Sequence, residues 1–262
     1  MKYFTVYKNS LSTFLQYRLN VGLILVSHLV SLSGLIVLWL SVYASGQQMG
    51  TYSLSAILLY YILVTVLTVT LGDGVGMGFE ISDEINQGQV VNYLLRPISY
   101  LWARFYNLIG SNTINIILIG PLVVAIGYIG RNYYDLPSLK NWLIFVLFFV
   151  IATLMDFLVY FIASLSAFWL HRGQLMIYGV ILVAGLLDGS LIPLDLYPHW
   201  AFAVIKYLPF QYLIFTPVQA FLGRVNNFPE MLILAICWLV VLYMFSLIFW
   251  RAGVRKFEAV GR

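Results

Sequence analysis

The sequence predicts an all-α membrane protein with six transmembrane helices. An N-terminal interfacial helix precedes them, a polar surface helix follows the second span, and re-entrant helices lie before the last. Three observations carry this. The 262 residues are 62% hydrophobic and 9% charged, with a mean hydropathy of +0.92, whereas soluble chains carry about 25% charged residues. Apolar runs of about 20 residues, the length that crosses a bilayer, recur along the chain. Between them lie one long polar interruption, residues 79–97, and one aromatic stretch broken by prolines, residues 193–229. These runs and their links use almost all of the sequence, so 1–262 reads as a single membrane domain.

Residues 1–18 are expected to lie along the membrane surface. Tyr3, Phe4, Tyr7, Leu11, Phe14 and Leu15 fall in one helical stripe, with Lys8, Asn9, Ser12, Thr13 and Gln16 outside it. They are too amphipathic for a secretory signal, and the run that follows is too long for a signal core. The spans are predicted at 19–43, 54–71, 105–129, 142–167, 173–192 and 231–250. After the second comes Gly72-Asp73-Gly74-Val75-Gly76-Met77-Gly78, which fits neither a dinucleotide fingerprint nor a phosphate loop and is read as a flexible exit from the bilayer. From Phe79 the pattern becomes a short helix, with Ile81 and Ile85 on one face and Glu80, Asp83, Glu84 and Gln87 on the other. Gly88 ends it at no steric cost, and Arg96-Pro97 prevents simple continuation. Four of the ten acids of the chain, Asp73, Glu80, Asp83 and Glu84, crowd here, which marks the segment as a docking element for a soluble partner.

The third span opens with Asn107, Ser111, Asn112, Thr113 and Asn115, so its first half must face other helices or a wet cavity. The tight hinge Trp169–Gly173 makes the fourth and fifth spans an antiparallel pair. Pro193, Pro198, Pro209 and Pro217 cut the stretch 193–229 into pieces too short to cross a bilayer. Residues 251–262 form a basic tail. Six crossings put both termini on one side. That side, counting the N-terminal segment, the polar loop, the hinge and the tail, holds ten Lys and Arg against four on the other. The positive-inside rule therefore puts both termini and residues 79–97 in the cytoplasm, and 193–229 outside.

Catalytic constellations are not visible. His28, His171 and His199 stand apart from any second ligand at metal spacing, no Gly-x-Ser-x-Gly elbow occurs, and no phosphate loop is present, so ATP chemistry would belong to another chain. The single Cys237 lies in the last apolar run and permits no internal disulfide. The net charge of +4 reports orientation and does not point to nucleic acid. Asp156 is the one acid deep inside a span. It reads either as a proton-relay or substrate-contact group, or as a structural acid bonded to Thr153, Tyr160 or another helix. Of the abundant aromatics, Trp39, Trp142, Trp169 and Trp250 are expected to be lipid-facing anchors. Tyr60, Tyr61 and Tyr178, with Asp156, are candidates for an apolar substrate pathway.

Three stretches together carry a family resemblance. They are the acidic segment ending at Gly88 with Leu94-Leu95-Arg96-Pro97-Ile98-Ser99 after it; Pro209-Phe210 through Pro217 to Phe221-Leu222-Gly223; and the ending Phe257-Glu258-Ala259-Val260-Gly261. The whole length resembles the membrane subunit of an ABC exporter of the ABC-2 permease type. The resemblance implies two permeases, identical or paralogous, with two cytoplasmic ATPases that carry the ATP and Mg; this chain would bind no cofactor itself. It implies that residues 79–97 hold a cytoplasmic coupling helix contacting the ATPase through Glu80, Ile81, Asp83, Glu84, Ile85, Gln87 and Gly88. It also implies an outer gate of re-entrant helices at 193–229, a lipophilic or amphipathic cargo exported from the cytoplasm or inner leaflet, and residence in a bacterial cytoplasmic membrane. Two rivals stand beside it. A secondary transporter or channel subunit working without ATP would show inverted repeats and several intramembrane charges. An intramembrane enzyme would need a catalytic pair inside the spans.

Overall fold

A computed structural model describes residues 4–8, 18–46, 50, 52–95, 97–130, 137–170, 172–225 and 227–259. Among these residues the fold is all-helical, with no strand. After a helical turn at residues 4–8 come α1 (Arg18–Ala44), α2 (Leu54–Leu71), α3 (Asp73–Asn86), the single turn α4 (Val91–Leu94), α5 (Tyr100–Gly130) and α6 (Leu139–Leu165). These are followed by α7 (Gln174–Leu187), α8 (His199–Ile205), α9 (Phe215–Phe221) and α10 (Phe228–Ala259). Of the predicted interfacial helix only residues 4–8 are described; there the Tyr7 hydroxyl donates to Thr113 Oγ1 of α5 at 3.4 Å.

Among the described residues four stretches are long and apolar enough to cross a bilayer: Val26–Ala44, Leu54–Asn86, Leu139–Phe168 and Phe228–Phe257. The third predicted span lies within α5, a helix of 31 residues. The fifth, predicted over 173–192, is a 14-residue helix ending at Leu187. At 1.5 Å per residue it reaches about 21 Å, short of a hydrocarbon core of about 30 Å. Asp188 and Gly189 break it, Gly189 taking a φ of +86°.

The largest departure from the expectation lies at the glycine-rich stretch, which is helical and not a flexible exit. Gly72 keeps right-handed helical angles, so α2 and α3 join into a 33-residue apolar rod, Leu54–Asn86. Glycine serves close packing here. A Cβ at Gly74 would collide with the Asp156 carboxylate of α6, and one at Gly78 would touch Tyr160 and Ile177 at 3.5 Å. The rod stops where expected. Gly88 has a φ of +75°; its N–H donates to the Ile85 carbonyl at 3.2 Å, and the Gln89 N–H reaches back to the Glu84 carbonyl at 2.8 Å. This is a Schellman cap, which uses up carbonyls that the helix end would leave bare.

Prolines punctuate residues 188–229, called the outer segment after the side on which the positive-inside expectation puts it. Pro193 and Pro198 stand just before a 3₁₀ turn and α8, and Pro209 opens the 3₁₀ turn that leads toward α9. Both α8 and α9 are seven residues long. The predicted basic tail proves helical as far as Ala259, an unbroken extension of the last span.

Two cores lie along the bundle. One gathers α1, α2, the first half of α6, the outer segment and the start of α10, around Tyr60, Tyr61, Phe148 and Tyr212. The other gathers α3, the start of α5, the second half of α6, α7 and the end of α10, around Ile81, Phe157, Phe161 and Leu165. Helix α6 runs through both, packing on α10, α3 and α9. The outward faces of α1 and α10 are almost wholly exposed apolar side chains, as lipid contact requires. Of the four expected tryptophan anchors, Trp39 is instead buried and stacks on Tyr61 at 5.6 Å, while Trp250 is half-buried and stacks on Tyr100 at 4.7 Å. Trp142 and Trp169 are exposed.

Candidate functional site

The acidic row of α3 is tied to two neighbouring helices. Asp73 accepts from Asn115 Nδ2 of α5 at 3.0 Å, and the same amide nitrogen reaches the Val69 carbonyl at 3.2 Å. Asp83 accepts from Gln174 Nε2 of α7 at 2.7 Å. Arg104 of α5 pairs with Glu84 and lies 3.5 Å from Glu80. The Tyr100 hydroxyl donates to Glu84 at 2.6 Å, and the rings of Tyr93 and Tyr100 each face the Arg104 guanidinium at 5.6 Å. Arg104 is buried, so its charge depends on these partners. The acids that marked a docking element in the sequence thus also clamp α3 to α5 and α7. The polar half of α5 faces other helices, as its composition required: Asn112 and Asn115 are buried.

Ile81 and Ile85 are also turned inward. They are buried in the second of the two cores, covered by the chain's own helices. What remains open at this end is the tip beyond the rod. Glu80, Asn86, Gln87, Gln89 and Asn92 are exposed, Asp83, Glu84 and Gly88 half-buried. Leu95 is 81% exposed and Leu94 41%, an apolar pair presented by a polar collar.

The pathway candidates are not brought together. Tyr60 and Tyr61 are fully buried and act as clamps on the outer segment: Tyr60 donates to the Gly189 carbonyl at 2.6 Å and Tyr61 to the Leu191 carbonyl at 2.7 Å. Tyr178 of α7 is exposed and packs on Phe79 at 5.1 Å. Asp156 is buried beneath Gly74. The Thr153 hydroxyl, named as a partner for it, donates instead to the Phe149 carbonyl at 2.9 Å.

At the opposite end the outer segment and the start of α10 line an open cavity of about 680 Å³ that sequence reasoning did not identify. Its organising group is Tyr52. The hydroxyl donates to Asp195 at 2.8 Å and accepts from Gln219 Nε2 at 2.6 Å, while the Arg224 guanidinium lies 4.2 Å over the ring. Burial pushes the Asp195 carboxyl above its usual range, against the Tyr52 hydrogen bond and the Arg224 charge, which pull it down. Desolvation, with the neighbouring Asp195 charge, pushes the Tyr52 hydroxyl well above its usual value too, so it holds its proton. Asp195 and Tyr52 lie 143 residues apart, and no local spacing announces such a pair.

Among the described residues no cluster of His, Cys, Asp and Glu is arranged to hold a metal. A comparison with curated proteins gave no match. The model of the ABC-2 family transporter proteins matches residues 29–261, which takes in all the helices from α2 to α10 and most of α1. With its long apolar helices, this makes the chain a multi-pass membrane protein and a transport subunit, not a catalytic enzyme, of a kind that generally works with a cytoplasmic ATPase. The chain belongs to the ABC-2 family of transporter proteins, as an ABC-2 type permease.

Proposed function

We propose that this chain is the transmembrane subunit of an exporter that moves a lipophilic or amphipathic cargo outward from the cytoplasm or inner leaflet. ATP hydrolysis on a separate ATPase chain drives it, with ATP and Mg held there. A second permease, identical or paralogous, completes the membrane part, and the assembly sits in a bacterial cytoplasmic membrane with both termini inside. One observation supports the coupling route above all: the α2–α3 rod ends in a Schellman cap, immediately followed by the exposed pair Leu94 and Leu95.

A coupling element must be stiff and must be fastened to what it moves. The rod is continuous helix from Leu54 to Asn86, and its acids are bonded to α5 and α7. A push on the tip is then delivered to three helices at once. The docking surface is the exposed tip, including Gln87 and Gly88, while Ile81 and Ile85 hold the rod in the bundle. For such a push to shift the cavity between states, the two states must bind nucleotide differently.

The test is the double substitution Leu94→Ser with Leu95→Ser in membranes containing the ATPase. The reading expects normal insertion, unchanged thermal stability and loss of at least about tenfold in ATPase retention, since two leucine side chains would lose their burial against the partner. Unchanged retention and unchanged cargo-stimulated hydrolysis would overturn it.

A further inference from the structure

The outer cavity carries a charge pattern that narrows what it can hold. Two cations, Lys206 and Arg224, and two carboxylates, Asp195 and Glu230, line it. Arg224 and Asp195 are engaged with Tyr52. Lys206 and Glu230 are the other two. The Lys206 ammonium rests over its neighbour's ring, Tyr207, at 4.9 Å, and Glu230 accepts only a 3.3 Å bond from Asn227. Among the described residues both ion pairs belong to Arg104, so neither charge is neutralised by an opposite one. A ligand with a single charge would match one of them and be repelled by the other.

The wall also holds a polar atom without a partner. The Tyr52 proton is committed to Asp195, so the Tyr52 oxygen accepts from Gln219 Nε2. That fixes the amide and leaves Gln219 Oε1 unpartnered among the described residues. Opposite these groups the lining turns apolar, with Phe202, Met231 and Leu234. On its other face α10 carries the exposed Ile233 and Ile236, apolar surface for the bilayer. A volume of about 680 Å³ is within the range of small-molecule sites.

We propose that this cavity binds the zwitterionic head of an amphiphile, a phosphate beside Lys206 and an ammonium beside Glu230, with its acyl chains laid along α10. Such a head reaches the cavity from two sources, a cargo leaving the transporter or a lipid of the outer leaflet. The binding site stands on geometry alone; only its use by cargo rests on the function proposed above.

The full chain, purified into nanodiscs, is tested with four dioleoyl lipids at equal mole fraction: phosphatidylethanolamine, phosphatidylcholine, phosphatidylglycerol and a cationic trimethylammonium lipid. Native mass spectrometry reads the bound lipid. The two zwitterions are expected to be retained about fivefold over either singly charged lipid, the scale of one partly exposed ion pair. Soluble phosphoethanolamine should displace them. Glu230→Lys should shift the preference to phosphatidylglycerol, and Lys206→Glu to the cationic lipid. Equal retention of all four by the wild-type chain, or the same preference in both reversals, would overturn the proposal. With the ATPase present, loss of the bound zwitterion on turnover assigns it to cargo. Retention through turnover assigns it to the outer leaflet. Both outcomes uphold the site.

Discussion

Arg104 shows how one side chain fixes an element. Buried between two acids and two rings, it is held by Glu84, Tyr100 and Tyr93. Arg104→Met leaves Glu84 without its counter-charge and should cost about 3 kcal/mol, the scale of breaking a buried pair by removing one member. The double variant Arg104→Met, Glu84→Gln should recover part of that loss, because the stranded charge goes too. Melting of the two variants in detergent checks this. The buried tyrosines allow a second residue-level contrast. Tyr60→Phe and Tyr61→Phe each delete one hydrogen bond to the outer segment and should cost about 0.5–1.5 kcal/mol. Cargo preference should stay unchanged in a transport assay, whereas a pathway-lining tyrosine would alter preference with little change in melting.

Among elements, the α3–α6 contact is the most exacting. Gly74 lies directly against Asp156, while Gly78 has ordinary clearance of 3.5 Å. Gly74→Ala is therefore expected to destabilise by about 1–3 kcal/mol through overpacking, and Gly78→Ala to be nearly neutral. Adding Asp156→Ala to Gly74→Ala should restore stability; thermal unfolding of the series decides. The helices and the proline-broken segment were legible in the sequence, because apolar run length, Gly88 and the prolines act locally. Misread as a flexible exit, the glycine stretch carried a usable signal: Gly74 and Gly78 are four apart and so share one helix face, the small-residue pattern of close helix packing. The roles of Glu80, Asp83 and Glu84 were not legible. Their partners lie from 16 to 91 residues away, and an acidic face on a surface helix looks the same whether water or other helices cover it. Buried Trp39 was hidden for the same reason, since an aromatic near a span end suits lipid and core alike, and the mid-span Tyr60 and Tyr61 suit a passage and a core equally.

At the scale of the whole molecule, two cores are joined by α6 and by the continuous α2–α3 rod. The core around Ile81 ends at the exposed tip 86–95, and the core around Tyr60 ends at the cavity beside Tyr52. Displacing the rod lengthwise disturbs both ends, because α2 holds the outer segment through its tyrosines while α3 holds α5 and α7 through its acids. The account rests on that tip being cytoplasmic and seated on an ATPase. The most direct measurement places a photoreactive residue at Leu95, and separately at Leu191 in the outer segment, in native membranes, and identifies what each captures. The account predicts that Leu95 captures a chain bearing a nucleotide-binding phosphate loop and that Leu191 does not. Capture of that chain from Leu191, or labelling of Leu95 by a membrane-impermeant reagent added outside, would contradict it.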